Sequence, residues 1–385
     1  MSWKLFQKLL YVEQFLLKGW EIGILLLLPI LLLKGQINLF ELGVLSTALS
    51  LSQFGLSTIS GYVVQKLGNK KTMVISAIMA TLPWIMLTIS QRFEVMLAAY
   101  IVEGASSGLY ETYAIALNAN NLKKGQRSEG MANFGMMGDL GRILFTGVTT
   151  MSVVTIGFVN FYLINSLVGI IMFTGILIIL TKNQLSINLE VDFTSRSSHI
   201  PSYFKNKQLL LAIVAGCLDS FSSASLFIFL PLLFAKKGLP YEESGFLSIL
   251  LFVGYLLGRK GLGKLADKFG TVKTLMIGET FMVFVLLGIV VANNFGVLII
   301  LLILLGVAAR GTSPVCKALV ADSLPDDLTI ETGMAVYISS ARLASIISRP
   351  VFSTVAGLAG ISWVFGLSAI SALMINVPLA KSERE

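Results

Sequence analysis

Many ionisable residues stand inside long apolar runs of this chain, and their types divide into two kinds of chemistry. The acids Glu21, Glu103, Glu111, Asp139 and Asp219 are candidates for proton exchange, because a carboxylate in low-dielectric surroundings can load and release a proton. The bases Arg142, Arg310 and Arg342 keep their charge and offer a planar fork to a carboxylate or phosphate. They are the candidates for binding a solute, with Glu103 and Tyr110 beside them. Two pairs, Lys18 with Glu21 and Asp139 with Arg142, sit three residues apart, so mutual neutralisation on one helix face is the competing reading. Arg349 completes the buried bases. Glu279 falls near the end of its apolar run, where pairing with loop lysines is the expected role.

Such groups need a scaffold that tolerates them. The chain has 385 residues, 55% of them hydrophobic and only 13% charged, with mean hydropathy +0.82. A soluble domain carries roughly a quarter charged residues. An ionisable residue at the centre of a bilayer costs about 2.5–3.5 kcal/mol on insertion scales, which makes each one a functional candidate. The apolar runs fall at 10–33, 40–64, 73–90, 94–117, 131–153 and 157–180, then at 208–234, 242–262, 273–292, 296–319, 332–355 and 360–380. Hydrocarbon requires their backbone groups to be satisfied internally, so they are expected to be helices. The expected fold is an all-α membrane protein with twelve transmembrane helices in two pseudo-symmetric six-helix bundles. Residues 1–181 form the first bundle, the polar stretch 182–206 a cytoplasmic linker, and 207–385 the second bundle.

The 29 Lys and Arg residues fix an expected orientation. With both termini cytoplasmic, cytoplasmic segments hold twenty of them and the opposite side four. This positive-inside bias predicts a multi-pass protein of the cytoplasmic (inner) membrane. It also accounts for the net charge of +8 without a nucleic-acid partner. Cys217 and Cys316 lie in apolar runs, and His199 is the only histidine, so no disulfide, metal site or cofactor is expected. The basic start, Met1 to Lys8, shows no cleavage pattern for a removable signal peptide.

The halves repeat. A shift of 202 aligns Pro29 with Pro231, Glu41 with Glu243, Gly43 with Gly245, Gly61 with Gly263, Lys66 with Lys268 and Gly68 with Gly270. At 203, Gly108 meets Gly311 and Gly130-Met131-Ala132 meets Gly333-Met334-Ala335. Six helices per half bring both halves in from the same side, giving parallel repeats with a solute site expected near the midplane between them. The opposite signs of Asp139 and Arg342, equivalent at 203, suggest complementary roles.

The repeat is sharpest in two loops. One runs from Gly61 through Gln65, Lys66 and Gly68, the other from Gly263 through Asp267, Lys268 and Gly270. Here the sequence resembles the major facilitator superfamily, whose signature is Gly-x-x-x-Asp-Arg/Lys-x-Gly-Arg/Lys-Arg/Lys between helices 2 and 3, with a weaker copy between helices 8 and 9. The resemblance covers the whole chain. It implies a gating role for these loop residues, better suited to Asp267 than to Gln65, which replaces the acid in the first copy. It also implies a central cavity lined by helices 1, 4, 7 and 10, which carry Glu21, Glu103, Glu111, Asp219 and Arg310. The run Gly258 to Lys264 imitates a phosphate loop, but Leu265 stands where Ser or Thr belongs and no strand precedes it.

The expected function is a secondary active transporter, not an enzyme, working by alternating access. It is read as a monomer that is proton-coupled and moves a small organic solute with an anionic group, with membrane lipids around it. Proton-driven efflux is the alternative. Ile101 stands where drug antiporters carry Arg in helix 4, and Gly135 to Arg142 lacks the Pro of their helix 5 motif, which weakens that assignment. A lipid flippase or a non-transporting sensor is the alternative of another class.

Overall fold

A computed structural model describes residues 3–120, 127–182, 206–224, 226–323 and 330–382. The linker expected at 182–206 lies, from 183 to 205, outside the described residues. The described secondary structure is all α-helical.

The helices are α1 (Trp3–Leu33), α2 (Leu39–Ile89), α3 (Phe93–Asn120), α4 (Arg127–Thr155) and α5 (Gly157–Lys182). They continue with α6 (Lys207–Ser223), α7 (Leu226–Lys236), α8 (Tyr241–Phe269), α9 (Thr271–Val291) and α10 (Phe295–Asp322), then α11 (Ile330–Ala359), α12 (Ile361–Met374) and α13 (Asn376–Ser382). α2 is two rods meeting at Gly68 (φ 78°). α6–α7 and α12–α13 each continue one apolar stretch, Lys207–Lys236 and Ile361–Ala380. Among the described residues, eight stretches are long and apolar enough to cross a membrane. The charged stretches on α3, α4, α8 and α11 depart from simple apolarity.

Local chemistry explains the helix starts. Asn38 Oδ1 accepts from the Glu41 amide (2.9 Å) and Glu41 Oε2 accepts from the Asn38 amide (2.8 Å), a reciprocal cap at the head of α2. Asn206 Oδ1 accepts from the Leu209 amide (2.9 Å) at the head of α6.

The backbone carries the repeat more plainly than the side chains do. The positive-φ glycines of the described residues pair as Gly35 with Gly238, Gly68 with Gly270 and Gly157 with Gly360, at shifts of 202 or 203. Gly68 and Gly270 take nearly the same angles, φ 78° and ψ 159° against φ 87° and ψ 154°. This combination of positive φ with ψ near 150° is essentially confined to glycine, and a side chain forced into it costs about 1–3 kcal/mol. Gly270→Ala is therefore expected to lower stability by about 1–3 kcal/mol. Gly261→Ala, on α8 with open space around it, should be neutral or slightly stabilising. Thermal unfolding of the two variants in detergent checks the contrast.

The chain divides into two compact units, Met1–Leu31 with Val44–Thr194, and Leu32–Gly43 with Ser195–Glu385. In the first, α2 and α3 approach so closely that a Cβ on Gly104 would meet the Leu49 carbonyl, and one on Gly108 the Gln53 carbonyl. In the second, Gly254 and Gly258 of α8 meet α10 at Ile303, Gly306 and Val307 in the same manner. Small residues let membrane helices gain dispersion contacts that lipid would otherwise supply. The first unit also holds an aromatic cluster of Trp20, Trp84, Phe161 and Tyr162, in which the Trp20 indole N–H donates to Asn165 Oδ1 (3.1 Å). These contacts fix α1 rotationally and so aim Lys18 and Glu21.

Candidate functional site

α1, α2 and α3 bring the polar residues of the first unit to one place. Lys18 and Glu21 share a face of α1, and Glu103, Ser107 and Glu111, four apart, form one stripe down α3. Lys18 Nζ lies 2.7 Å from Glu21 Oε2 and 3.4 Å from Glu111 Oε2, with Ser107 Oγ at 3.5 Å. Ser107 Oγ donates to Glu21 Oε2 (3.1 Å). Gln53 Nε2, from α2, donates to Glu21 Oε1 (3.4 Å) and to Ser107 Oγ (3.2 Å). The ammonium thus bridges two acids, and neutral donors satisfy the remaining oxygens of Glu21.

α4 adds a second pair, Arg142 donating to Asp139 Oδ1 at 2.9 Å. Arg142 lies within the electrostatic reach of Glu21 and Glu111 as well. Exposure grades through the cluster: the side chains of Glu111 and Arg142 are 28% and 21% exposed, against 5% for Lys18 and 1% for Asp139. Glu103, one turn along α3 from Ser107, is 1% exposed, and its Oε2 meets no hydrogen-bond partner. Lys18 acts on Glu103 only through its field, because its ammonium is engaged by Glu21, Glu111 and Ser107. Two cations therefore face three paired acids, with Glu103 as a fourth acid behind them.

The two i,i+3 pairs of the sequence thus do form, and the first is part of a network that joins Lys18, Glu21, Gln53, Ser107 and Glu111. Tyr110 is buried and its hydroxyl donates to the Leu10 carbonyl (3.1 Å), tying α3 to α1. Glu13, at the edge of the first apolar run and not among the sequence candidates, is 1% exposed and accepts from Ser76 Oγ (3.5 Å). Gln53 was equally illegible, because an amide carries no insertion penalty large enough to single it out. A polar residue at the site of α2–α3 glycine contact was the available signal.

In the second unit, Asp219 of α6 is buried and accepts from Thr312 Oγ1 of α10 (2.9 Å). Arg342 and Arg349 are half-buried on α11. Arg310 lies on α10, and its side chain is outside the described residues, as are those of Gln65 and Asp267. Gly61 and Gly263 lie within α2 and α8, upstream of the turns at Gly68 and Gly270. Lys66 and Lys268 are exposed beside those turns, with Lys268 Nζ 5.3 Å from the Phe269 ring centroid. Glu279 is wholly buried, away from the loop-facing place first expected, and Asp219 and Thr312 act on it.

Comparison with known proteins agrees with this architecture. The family model for the Major Facilitator Superfamily matches residues 19–261 and 212–381. YwtG of Bacillus subtilis (strain 168), named for metabolite transport, is 28% identical over 150 residues, which cover 38% of this chain and 32% of that protein. The chain thus matches only about a third of the length of that relative. The uncharacterized MFS-type transporter YcaD of Escherichia coli (strain K12 / DH10B) is 23% identical over 319 residues, 81% of this chain and 79% of that one. Among solved structures, a point mutant of the nucleoside transporter NupG superposes with a TM-score of 0.80 at 13% identity, covering 98% of this chain and 99% of that one. A D-xylose-proton symporter gives 0.77 at 14% identity, covering 96% and 97%. At such identities the structures establish the fold, and the family match carries the assignment: this chain belongs to the Major Facilitator Superfamily, a multi-pass membrane transporter and not an enzyme.

Proposed function

We propose that the protein is a proton-coupled secondary transporter that moves a small organic solute bearing an anionic group across the cytoplasmic membrane by alternating access. The observation that carries the reading is Glu103: a sealed carboxyl with an unmet oxygen, one turn behind a network whose ammonium, on Lys18, is already committed. An isolated carboxylate in such a place is costly, and taking up a proton removes the cost. The grade of exposure from Glu111 inward through Lys18 and Ser107 supplies a polar route for that proton. Glu21, Asp139 and Asp219 are further candidates along it or in the second unit. One solved neighbour is named as a proton symporter, which agrees with this reading.

Arg142 offers the solute its guanidinium, held in place by Asp139 through a single donor of five. Arg342 and Arg310 are proposed as its counterparts on α11 and α10, with Glu103 and Tyr110 as further solute-binding candidates. The turns at Gly68 and Gly270, with Lys66, Lys268, Gln65 and Asp267, are proposed to gate access. The bundles are assigned to 1–181 and 207–385, with both termini cytoplasmic and the monomer as the working unit.

Proteoliposomes loaded with a pH-sensitive dye test this. Organic acids and sugar phosphates would be offered in turn, alongside neutral nucleosides and pentoses. At least one anionic solute should carry protons with it, and Glu103→Gln should abolish that proton movement while leaving counterflow of the solute. Uptake indifferent to pH and membrane potential and unaffected by Glu103→Gln would sink the coupling. A response confined to neutral solutes would sink the anionic-solute assignment.

A further inference from the structure

We propose that Gln53 is a positioning residue for the proton: its amide fills an acceptor site on Ser107 and so keeps that hydroxyl from relaying a proton between Glu21 and Glu103. This rests on the reading above, in which Glu103 carries the exchangeable proton, and adds the residue that controls when Glu103 is loaded.

A serine hydroxyl has one proton to donate and two lone pairs with which to accept. All three are engaged at Ser107, which is 4% exposed. Its proton goes to Glu21 Oε2 at 3.1 Å. One lone pair takes Gln53 Nε2 at 3.2 Å, and the other takes Lys18 Nζ at 3.5 Å. Glu103 stands four residues before Ser107 on α3, the spacing at which side chains are neighbours on a helix, and its Oε2 meets no hydrogen-bond partner. A relay to that oxygen needs Ser107 to turn its proton to Glu103 while a lone pair receives the proton of a protonated Glu21. The O–H bond of Glu21 breaks as one forms on Ser107, the former Ser107 O–H bond breaks as one forms on Glu103, and the serine ends neutral. With both lone pairs occupied, Ser107 has no place for the incoming proton.

Of the two donors, Gln53 is the one that helix movement can withdraw. Lys18 shares α1 with Glu21, three residues away, and moves with it. Gln53 comes from α2, and its backbone carbonyl stands against Gly108, the residue after Ser107. A Cβ on Gly108 would lie 2.2 Å from that oxygen. The contact that packs α2 on α3 thus also sets the reach of the Gln53 amide. Its nitrogen must face Glu21 Oε1, at 3.4 Å, because an amide oxygen there would repel the carboxylate. At 3.2 Å the bond to Ser107 already stands at the long end of the ordinary range, so a small slide of α2 along α3 breaks it and frees the lone pair.

Proton leak into proteoliposomes under an imposed pH gradient, without solute and with potassium and valinomycin to balance charge, tests the role. Gln53→Met keeps the length of the side chain and removes its donors. Protons should then leak up to about tenfold faster than in the parent, the factor that one hydrogen bond is worth. Adding Ser107→Ala or Glu103→Gln should return the leak to the parent level, which a leak through loosened packing would not do. If Gln53→Met fails to fold, Gln53→Asn gives the reading, because an amide one methylene shorter is withdrawn from Ser107 and should produce the same leak. Variants as tight as the parent, or a leak that survives Ser107→Ala, overturn the role of Gln53. Such a result leaves standing any proton movement that the solute assay finds to depend on Glu103, so failure here and failure of the coupling are told apart.

Discussion

Gly104→Val is expected to remove most of the folded protein from the membrane. The Cβ of any larger residue would fall on the Leu49 carbonyl oxygen and the Ser52 hydroxyl, and backbone cannot move aside as the tip of a flexible side chain can. Overpacking costs about 1–3 kcal/mol in an adaptable core. Here valine also forces α3 away from α2 at the level where Gln53 reaches Ser107 and Glu21. The effect should therefore lie at or above that range and carry the polar network with it. Fluorescence size-exclusion chromatography and thermal unfolding of detergent extracts would show the loss. Gly55→Val, on α2 with open space around it, is the matched control and should stay close to the parent. Equal behaviour of the two variants would show that the α2–α3 seam is slack.

Lys18→Met is the second large effect. The substitution keeps an apolar stem of similar length but removes the charge that holds Glu21 at 2.7 Å and Glu111 at 3.4 Å. Breaking a buried pair from one side costs about 3–5 kcal/mol, because the partner charge is left uncompensated. Glu111 is the more exposed partner and can turn to water, so Glu21 bears most of the cost. The double variant Lys18→Met with Glu21→Gln should recover much of the loss, since both charges are then gone and Ser107 and Gln53 still find an amide to bond. A double-mutant cycle on thermal stability measures the coupling. Additive losses would mean that Lys18 works mainly through Glu111.

The site was legible in proportion to the insertion cost of its residues. Lys18, Glu21, Glu103, Glu111, Asp139 and Arg142 stand out in apolar runs because a charge there demands an explanation. Pairing within a helix was equally legible, because three-residue spacing fixes which side chains share a face. Contacts between helices were not. Lys18 reaches Glu111 across 93 positions of sequence, and nothing in either local pattern selects that partner. Glu279 shows the limit most clearly: its place near the end of an apolar run suggested a loop-facing role, yet the rotation of α9 turns it inward, where Asp219 and Thr312 act on it.

The sequence by itself determined the helical membrane class, the duplication and the two loop turns. Each rests on short-range physics: hydrocarbon forces backbone groups to pair within a helix, and positive φ selects glycine at matching positions of both halves. Only the tertiary structure decided which buried charges meet. Glycine seams set how near the helices come and aromatic packing sets their rotation, and both are properties of helix surfaces in contact, which a linear pattern does not contain.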